Sequence, residues 1–516
     1  MTTVQIMATI DEAVTSDLTM EKRPSSVRSV EPPHESTSSV ESDMGSSTDT
    51  ARFEYINGEH IKSVVKKLDR TLMPIMILMV IFKVLDVSII GAAKLDGLEQ
   101  ELDLHGDQYN TAVAVTQVGY MVTQVPSNML ITRLRPSVYL SCCCLLWSVV
   151  GICHAVTKSY GGLVAARLLL GIVDAPFHVG ALHLMSSFYS KREMALRGSF
   201  LIGAVVIVMA FTGPITAGVF RALGGKSGLA GWRWMYILLG TSGLMIGCLG
   251  FLLIPDYPDN GRPGFFLTAD ERRAAAARNK RERVNPSDES RRSLRHALVD
   301  TFKDKRTWIF TLLLLARNST GGLGGFYPEI IQSLNIAGSQ HNTTVGLLLT
   351  SPPAIFAVLV SFVVSWSSDR CNERTFHNIV PTVLVLTGFV VSAASLDAAA
   401  RYLSAFLYTA GMVASAPIAM SWQVNVINET PEKKACAIAV TSVLSGFGGI
   451  WSPYFFKQND RPRYQLAFSL MAAWVVADIL SCLWLRWELV KMNKKLAESA
   501  EETTGVAREE KNCYML

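Results

Sequence analysis

The sequence predicts an all-α polytopic membrane protein with twelve transmembrane helices in two six-helix halves. Two observations predict it. First, 49% of the 516 residues are hydrophobic and only 18% are charged, whereas a soluble chain of this length needs roughly a quarter charged residues. Second, the charges crowd into the first 70 residues, the stretch 255–307 and the last 30. Between them lie apolar runs of about 20 residues, the length that crosses a hydrocarbon core. No water reaches the backbone there, so each run must close its hydrogen bonds inside a helix.

The apolar runs fall at 72–92, 109–130, 138–156, 161–183, 198–220 and 234–254, then at 308–331, 345–366, 378–398, 402–426, 436–456 and 464–486. The domain organisation follows: a tail at 1–70, a first half at 71–254, a linker at 255–307, a second half at 308–486 and a tail at 487–516. Six spans, a long hydrophilic linker and six more describe two half-bundles able to rock against each other. The short loops carry equal numbers of Lys and Arg on the two sides and do not orient the chain. The linker does, with thirteen Lys and Arg residues. Lys62, Lys66, Lys67 and Arg70 precede the first span, and Lys491, Lys494 and Lys495 follow the last. Both termini and the linker are therefore expected in the cytosol. The acidic first outer loop, Asp96 to Asp107, agrees.

Other function classes recede. Met1 to Arg70 has no continuous apolar segment of the kind a signal peptide needs. The Ser, Thr, Glu and Pro content of Ser25 to Thr50 cannot bury a core and reads as a disordered cytosolic tail. A net charge of +5 does not suggest a nucleic-acid partner. Cys142, Cys143, Cys144, Cys153, Cys248 and Cys482 lie inside apolar runs, where Cys is a small hydrophobe, and no paired CxxC spacing suggests zinc. The C-terminal Cys513-Tyr514-Met515-Leu516 fits a prenylation pattern, but a chain held by many spans gains little from such an anchor. Gly224-Gly225-Lys226-Ser227 resembles the end of a phosphate-binding loop, yet Phe220 stands where that motif needs glycine. The run Gly321-Gly322-Leu323-Gly324-Gly325 lies within a span, where small residues permit close helix contact or bending. No HExxH or GxSxG is present, so no enzyme, cofactor or metal is expected. Of the glycosylation sequons, only Asn342 falls in an outer loop; Asn428 is on the inner side and Asn318 is within a span.

Several stretches resemble one family in order along residues 60–490. They are Lys67-Leu68-Asp69-Arg70 leading to Leu72 and Pro74, Leu85-Asp86, Ile90-Gly91, Gln108-Tyr109-Asn110, Val125-Pro126-Ser127-Asn128 and Arg135-Pro136. Further on come Ala166-Arg167-Leu168-Leu169-Leu170-Gly171, Arg192-Glu193, Gly231-Trp232-Arg233-Trp234, Phe266-Leu267-Thr268, Asp369-Arg370, Trp422, Asn425 and Pro462-Arg463-Tyr464. These resemble the fungal anion:cation symporter family of major facilitators, the allantoate, nicotinate, pantothenate and biotin permease-like group. The resemblance implies the major facilitator fold, a location in the plasma membrane and proton-coupled movement of a small, often carboxylated solute; the chain is expected to be a monomer. There are departures. The family's Asp-Arg pair in the first span reads Asp86-Val87, Lys83 appears one turn earlier, and Asp174 stands where the family tends to have Glu. Val179 replaces the family's Pro, and His178 and His183 are unusual.

Ionisable residues inside spans carry the functional expectations, because each costs at least about 2.5–3.5 kcal/mol to insert. Lys83 and Asp86 share a face of the first span, so Lys83 is expected to replace part of the missing arginine. Arg167, Gly171, Asp174 and His178 form one stripe of the fourth. Asp86 and Arg167 lie at similar depths and are expected to meet. Arg167, Lys83, Arg317 and Asn425 are the expected solute-binding residues; Asp86, Asp174 and His178 the proton-coupling ones; Asp369 and Arg370 the inner gate. Three cations against two acids leave a surplus that favours an anionic solute. Structural ion pairing is the bland alternative for these residues. A second functional reading is an exporter of a fungal secondary metabolite. A non-transporting sensor would carry an enlarged cytosolic domain, and a membrane enzyme would need a catalytic constellation.

Overall fold

The computed structural model describes residues 40–131, 134–257, 267–283, 294–336, 342–371, 373–427 and 431–504. Among them there are helices and no strand. The first half comprises α1 (Val40–Leu95), α2 (Gln108–Ile131), α3 (Pro136–Ala155), α4 (Tyr160–Ser186), α5 (Lys191–Leu223) and α6 (Gly231–Leu253). The linker contributes α7 (Ala269–Arg283) and α8 (Leu294–Lys303). The second half comprises α9 (Lys305–Asn318), α10 (Leu323–Ser333), α11 (Thr343–Leu349), α12 (Ser351–Cys371), α13 (Thr375–Ala394), α14 (Ala398–Val426), α15 (Pro431–Trp451) and α16 (Gln465–Thr504). The residues from Glu59 onward form one compact unit.

Ten described helices are long and apolar enough to cross a membrane. The two further expected spans depart for physical reasons. Gln108, Asn110, Thr111, Thr116, Gln117, Thr123 and Gln124 make α2 too polar to register by hydropathy. The seventh span is broken into α9 and α10 at the glycine run. There the Gly322 amide donates to Ser452 Oγ at 2.9 Å and Trp451 Nε1 donates to Ser319 Oγ at 3.0 Å. Ser452 thus takes up an amide that the break would strand in lipid. A Cβ on Gly322 would stand 2.6 Å from the Pro453 nitrogen, so only glycine fits. A correction applies at the N-terminal tail. Residues 60–70 belong to α1, with Val64 and Leu68 each 2% exposed, because the apolar face of the span continues through them.

The apolar cores show how the halves are joined. One cluster contains residues of both: Ile89, Ala93, Tyr109 and Trp232 from the first, Phe326, Phe389 and Phe468 from the second. It occupies the end of the bundle away from the linker, here called the far side. Toward the linker side there are two separate clusters, one around Leu72, Met76 and Phe177 of the first half, the other around Phe310, Trp422 and Leu485 of the second. The bundle is fused at one end and divided at the other.

Each linker helix is fastened to its own half. Glu271 of α7, only 4% exposed, accepts from Ser63 Oγ at 2.6 Å and Lys67 Nζ at 2.8 Å. Arg278 pairs with Glu193, which also completes the Ser190 capping box of α5. On the other half, Thr301 of α8 donates to the Lys433 carbonyl, and Asp304 is held by Arg306 at 2.6 Å and Lys433 at 2.7 Å. Burial alone would raise the Glu271 carboxyl, but the hydrogen bonds from Lys67, Ser63 and the Thr268 amide outweigh it and hold the group down at about 2. A depressed value means the fastening is complete above the ordinary carboxylate value and fades only as pH falls through about 2. Hydrogen exchange of α7, corrected for intrinsic rate, is therefore expected to be unchanged between about pH 5 and 8. Glu271→Gln should speed it across that whole range. Protection that fades near neutral pH in the unmodified chain would contradict the fastening.

Candidate functional site

Charged and polar side chains inside the first half converge from α1, α3, α4 and α6. Close packing of α2 on α4 sets the position of the fourth-span stripe. Gly171 lies directly against the Thr116 carbonyl, where any Cβ would collide. On that stripe, Arg167 is 1% exposed and donates to the hydroxyl of Tyr236. His154 of α3 stacks on the other side of the cluster, its ring 5.0 Å from that of Tyr236, with Nδ1 2.8 Å from the Val150 carbonyl. Asp86 is 4% exposed, and neither of its oxygens has a hydrogen-bond partner among the described residues. A Cβ on Gly151 would stand 3.3 Å from Asp86 Oδ1, so the glycine leaves room for the carboxyl. The charges that act on Asp86 are Arg167 and Asp174.

The expected pairing changes here. Lys83 is joined to Asp174 at 3.4 Å, not to Asp86, and lies 5.8 Å from the centre of the Tyr120 ring. Residues three apart share a face of one helix, but α4 presents an acid close enough to claim the ammonium. Arg167 likewise turns to Tyr236, and no hydrogen bond joins it to Asp86 among the described residues. Lys83 and Asp174 keep 14% and 11% of their side chains accessible, more than Arg167. His178 has its backbone in α4, and its side chain lies outside the described residues.

In the second half, Arg317 of α9 is enclosed by its own half. It pairs with Asp478 of α16 at 2.9 Å and donates to the Ser415 carbonyl at 2.8 Å and to Asn378 Oδ1 at 3.1 Å. Asp478 corrects the charge balance: three cations now face three acids. Asn425 is exposed near the linker-side end of α14, and the buried polar side chain of that turn is Gln423, which donates to Thr441 at 2.5 Å. Asp369 pairs with Arg374 at 2.7 Å, and Arg370 lies 5.5 Å from the Trp366 ring, so both make these contacts within the second half. Asn342 is exposed and caps α11 through its side-chain oxygen. Asn428 lies outside the described residues.

Sequence reasoning passed over Asp478, Tyr236 and His154. Asp478 carried a usable signal, an acid within an apolar run. His154, an ionisable residue within the run 138–156, carried the same kind of signal, and Tyr236 carried none until the helices were packed.

Comparison with known proteins fits this geometry. The family model described as Major Facilitator Superfamily matches residues 76–453. The major facilitator-type transporter hxnP of Emericella nidulans is 28% identical over 454 residues, covering 86% of this chain and 89% of its own. The MFS-type transporter efuF of Hormonema carpetanum is 28% identical over 441 residues, covering 83% of this chain and 85% of its own. Among solved structures, the inward open conformation of the xylose transporter XylE from E. coli superposes with a TM-score of 0.62 at 12% identity, covering 80% of this chain and 95% of that one. That likeness is one of fold.

The enclosure of Arg317 generates a stability prediction. Asp478→Ala leaves a buried guanidinium without its acid and is expected to cost about 3–5 kcal/mol, read as a lower melting temperature of the detergent-purified chain. Adding Arg317→Met removes the stranded charge and should recover most of the loss. A double variant no more stable than Asp478→Ala would contradict a structural pair.

Proposed function

The chain belongs to the Major Facilitator Superfamily, and from that premise we propose that it is a proton-coupled secondary transporter of a small organic anion, akin to the anion:cation symporters. Asp86 supports the reading most directly. A carboxylate buried in a span without a partner is too unfavourable to persist unless a proton or a cation joins it. With Lys83, Arg167 and Arg317 set against Asp86, Asp174 and Asp478, these six charges sum to zero. A proton on Asp86 leaves one positive charge to balance, and a carboxylate balances it.

The accessible cation is Lys83. A carboxylated solute takes the place of Asp174 at its ammonium, beside the Tyr120 ring, while the released Asp174 can accept a proton. Arg167, closed behind Tyr236, does not meet the solute in this conformation. Asp369 and Arg370 act at the linker-side opening. The basic residues of the linker and of both span-flanking segments favour the cytosol for that side and the outside for the far side, and the resemblance to the anion:cation symporters supports the plasma membrane.

Uptake and efflux of labelled carboxylates by transporter-deficient yeast test the proposal and read the direction of transport. Lys83→Ala is expected to lose most transport with surface expression retained, and Lys83→Arg to lose less. Asp174→Asn should weaken its pH dependence. Preference for an organic cation such as choline, or normal transport by Lys83→Ala, would sink the anion reading.

A further inference from the structure

Four charged side chains meet across the seam between the halves at the far side. The first half supplies Lys94, at the end of α1, and Glu99, in the short helical turn Leu98–Glu101. The second supplies Glu329 of α10 and Arg461, which follows the turn Gln458–Asp460. Lys94 Nζ lies 2.7 Å from Glu329 Oε2 and 3.3 Å from Glu99 Oε1. Arg461 NH2 lies 3.0 Å from Glu99 Oε2, and its Nε 3.1 Å from Glu329 Oε1. The four pairs close a square of alternating sign. It is dry at one corner and open at the opposite one: the Lys94 side chain is 3% exposed, with its ammonium 4.2 Å from the Tyr109 ring centre and 4.4 Å from that of Phe326, whereas the Arg461 side chain is 35% exposed. Neighbouring bonds also cross the seam, from Tyr109 to the Gly325 carbonyl at 2.7 Å and from Asn110 to the Phe456 carbonyl at 3.1 Å.

The square has a property that a single salt bridge lacks. Each cation has one acid in its own half and one in the other. Separating the halves breaks Lys94–Glu329 and Arg461–Glu99 but leaves Lys94–Glu99 and Arg461–Glu329 in place. Breaking a buried pair is unfavourable chiefly because it strands a charge, and here no charge is stranded. We infer that Lys94, Glu99, Glu329 and Arg461 form a partner-exchanging latch that holds the far side shut and sets the balance between its closed and open forms. This goes beyond the solute and proton reading and stands without it.

Accessibility of the seam tests the latch. Val113 packs where Gly325 meets α2 across the seam, so Val113→Cys in the full chain reports opening. The probe is a membrane-impermeant thiol reagent added from the far side of sealed vesicles, with labelling of the chain lacking that cysteine subtracted. Exchanging signs in one half, Lys94→Glu with Glu99→Lys, keeps the pair within that half but sets like charges across the seam. Labelling should rise roughly fivefold or more. Adding Glu329→Arg with Arg461→Glu restores opposite signs and should return labelling towards its starting level. Unchanged labelling after the first exchange, or persistently high labelling after the second, overturns the latch. Should the exchanged chains not reach the membrane, Lys94→Met with Glu99→Gln decides. It removes both cross-half pairs and spares Arg461–Glu329, and labelling no higher than in the Val113→Cys parent overturns the proposal.

Discussion

The structure depends on one constraint: the two halves share an apolar core at the far side and have separate cores toward the linker. Lipid supplies no hydrophobic drive for helices to gather, so small residues, aromatic packing and internal polar bonds must hold them. At the far side the ring of Phe326 stacks on that of Phe456, with centroids 4.4 Å apart, and Tyr109 meets Phe326 edge-on from the other half. On the linker side each half relies on its own ion pairs, Asp69 with Arg197 in the first and Asp304 with Lys433 in the second. A pair of internally braced bodies joined at one end can pivot without melting either, as the proposed transport requires.

The same division explains where the buried charges sit. Arg317 and Asp478 brace the second half from within, whereas the first half holds an acid, Asp86, with no hydrogen-bond partner among the described residues. The halves are alike in architecture and unequal in chemistry. One is closed upon itself, and the other keeps the groups to which the proposed function assigns the proton and the anion. The linker helices follow this arrangement, each fastened to the half beside it.

Much of the architecture was legible in the sequence because hydropathy and charge segregation are properties of single segments. The apolar runs, the basic linker and the bend at Gly321 to Gly325 are of that kind. Lys83 and Arg167 were also legible as cations within spans, but their partners were not. A helical face can be read from spacing, whereas which helix lies opposite is fixed by packing such as Gly171 on Thr116. The Lys94, Glu99, Glu329 and Arg461 square was illegible for another reason. Charges at span ends are ordinary, and only the closed bundle brings residue 94 to residue 461. The polar α2 span was found from its apolar residues, and its Gln117 has a packing role, lying against Gly449 across the seam.

In the proposed mechanism, coupling of solute movement to protons rests on Asp86, and reconstitution tests that dependence most directly. Purified chain in proteoliposomes, given an imposed proton gradient and a transported carboxylate, should accumulate that solute against its concentration gradient. Asp86→Asn should still exchange the solute across the membrane but no longer accumulate it. Gradient-driven accumulation that persists in Asp86→Asn would contradict the coupling role.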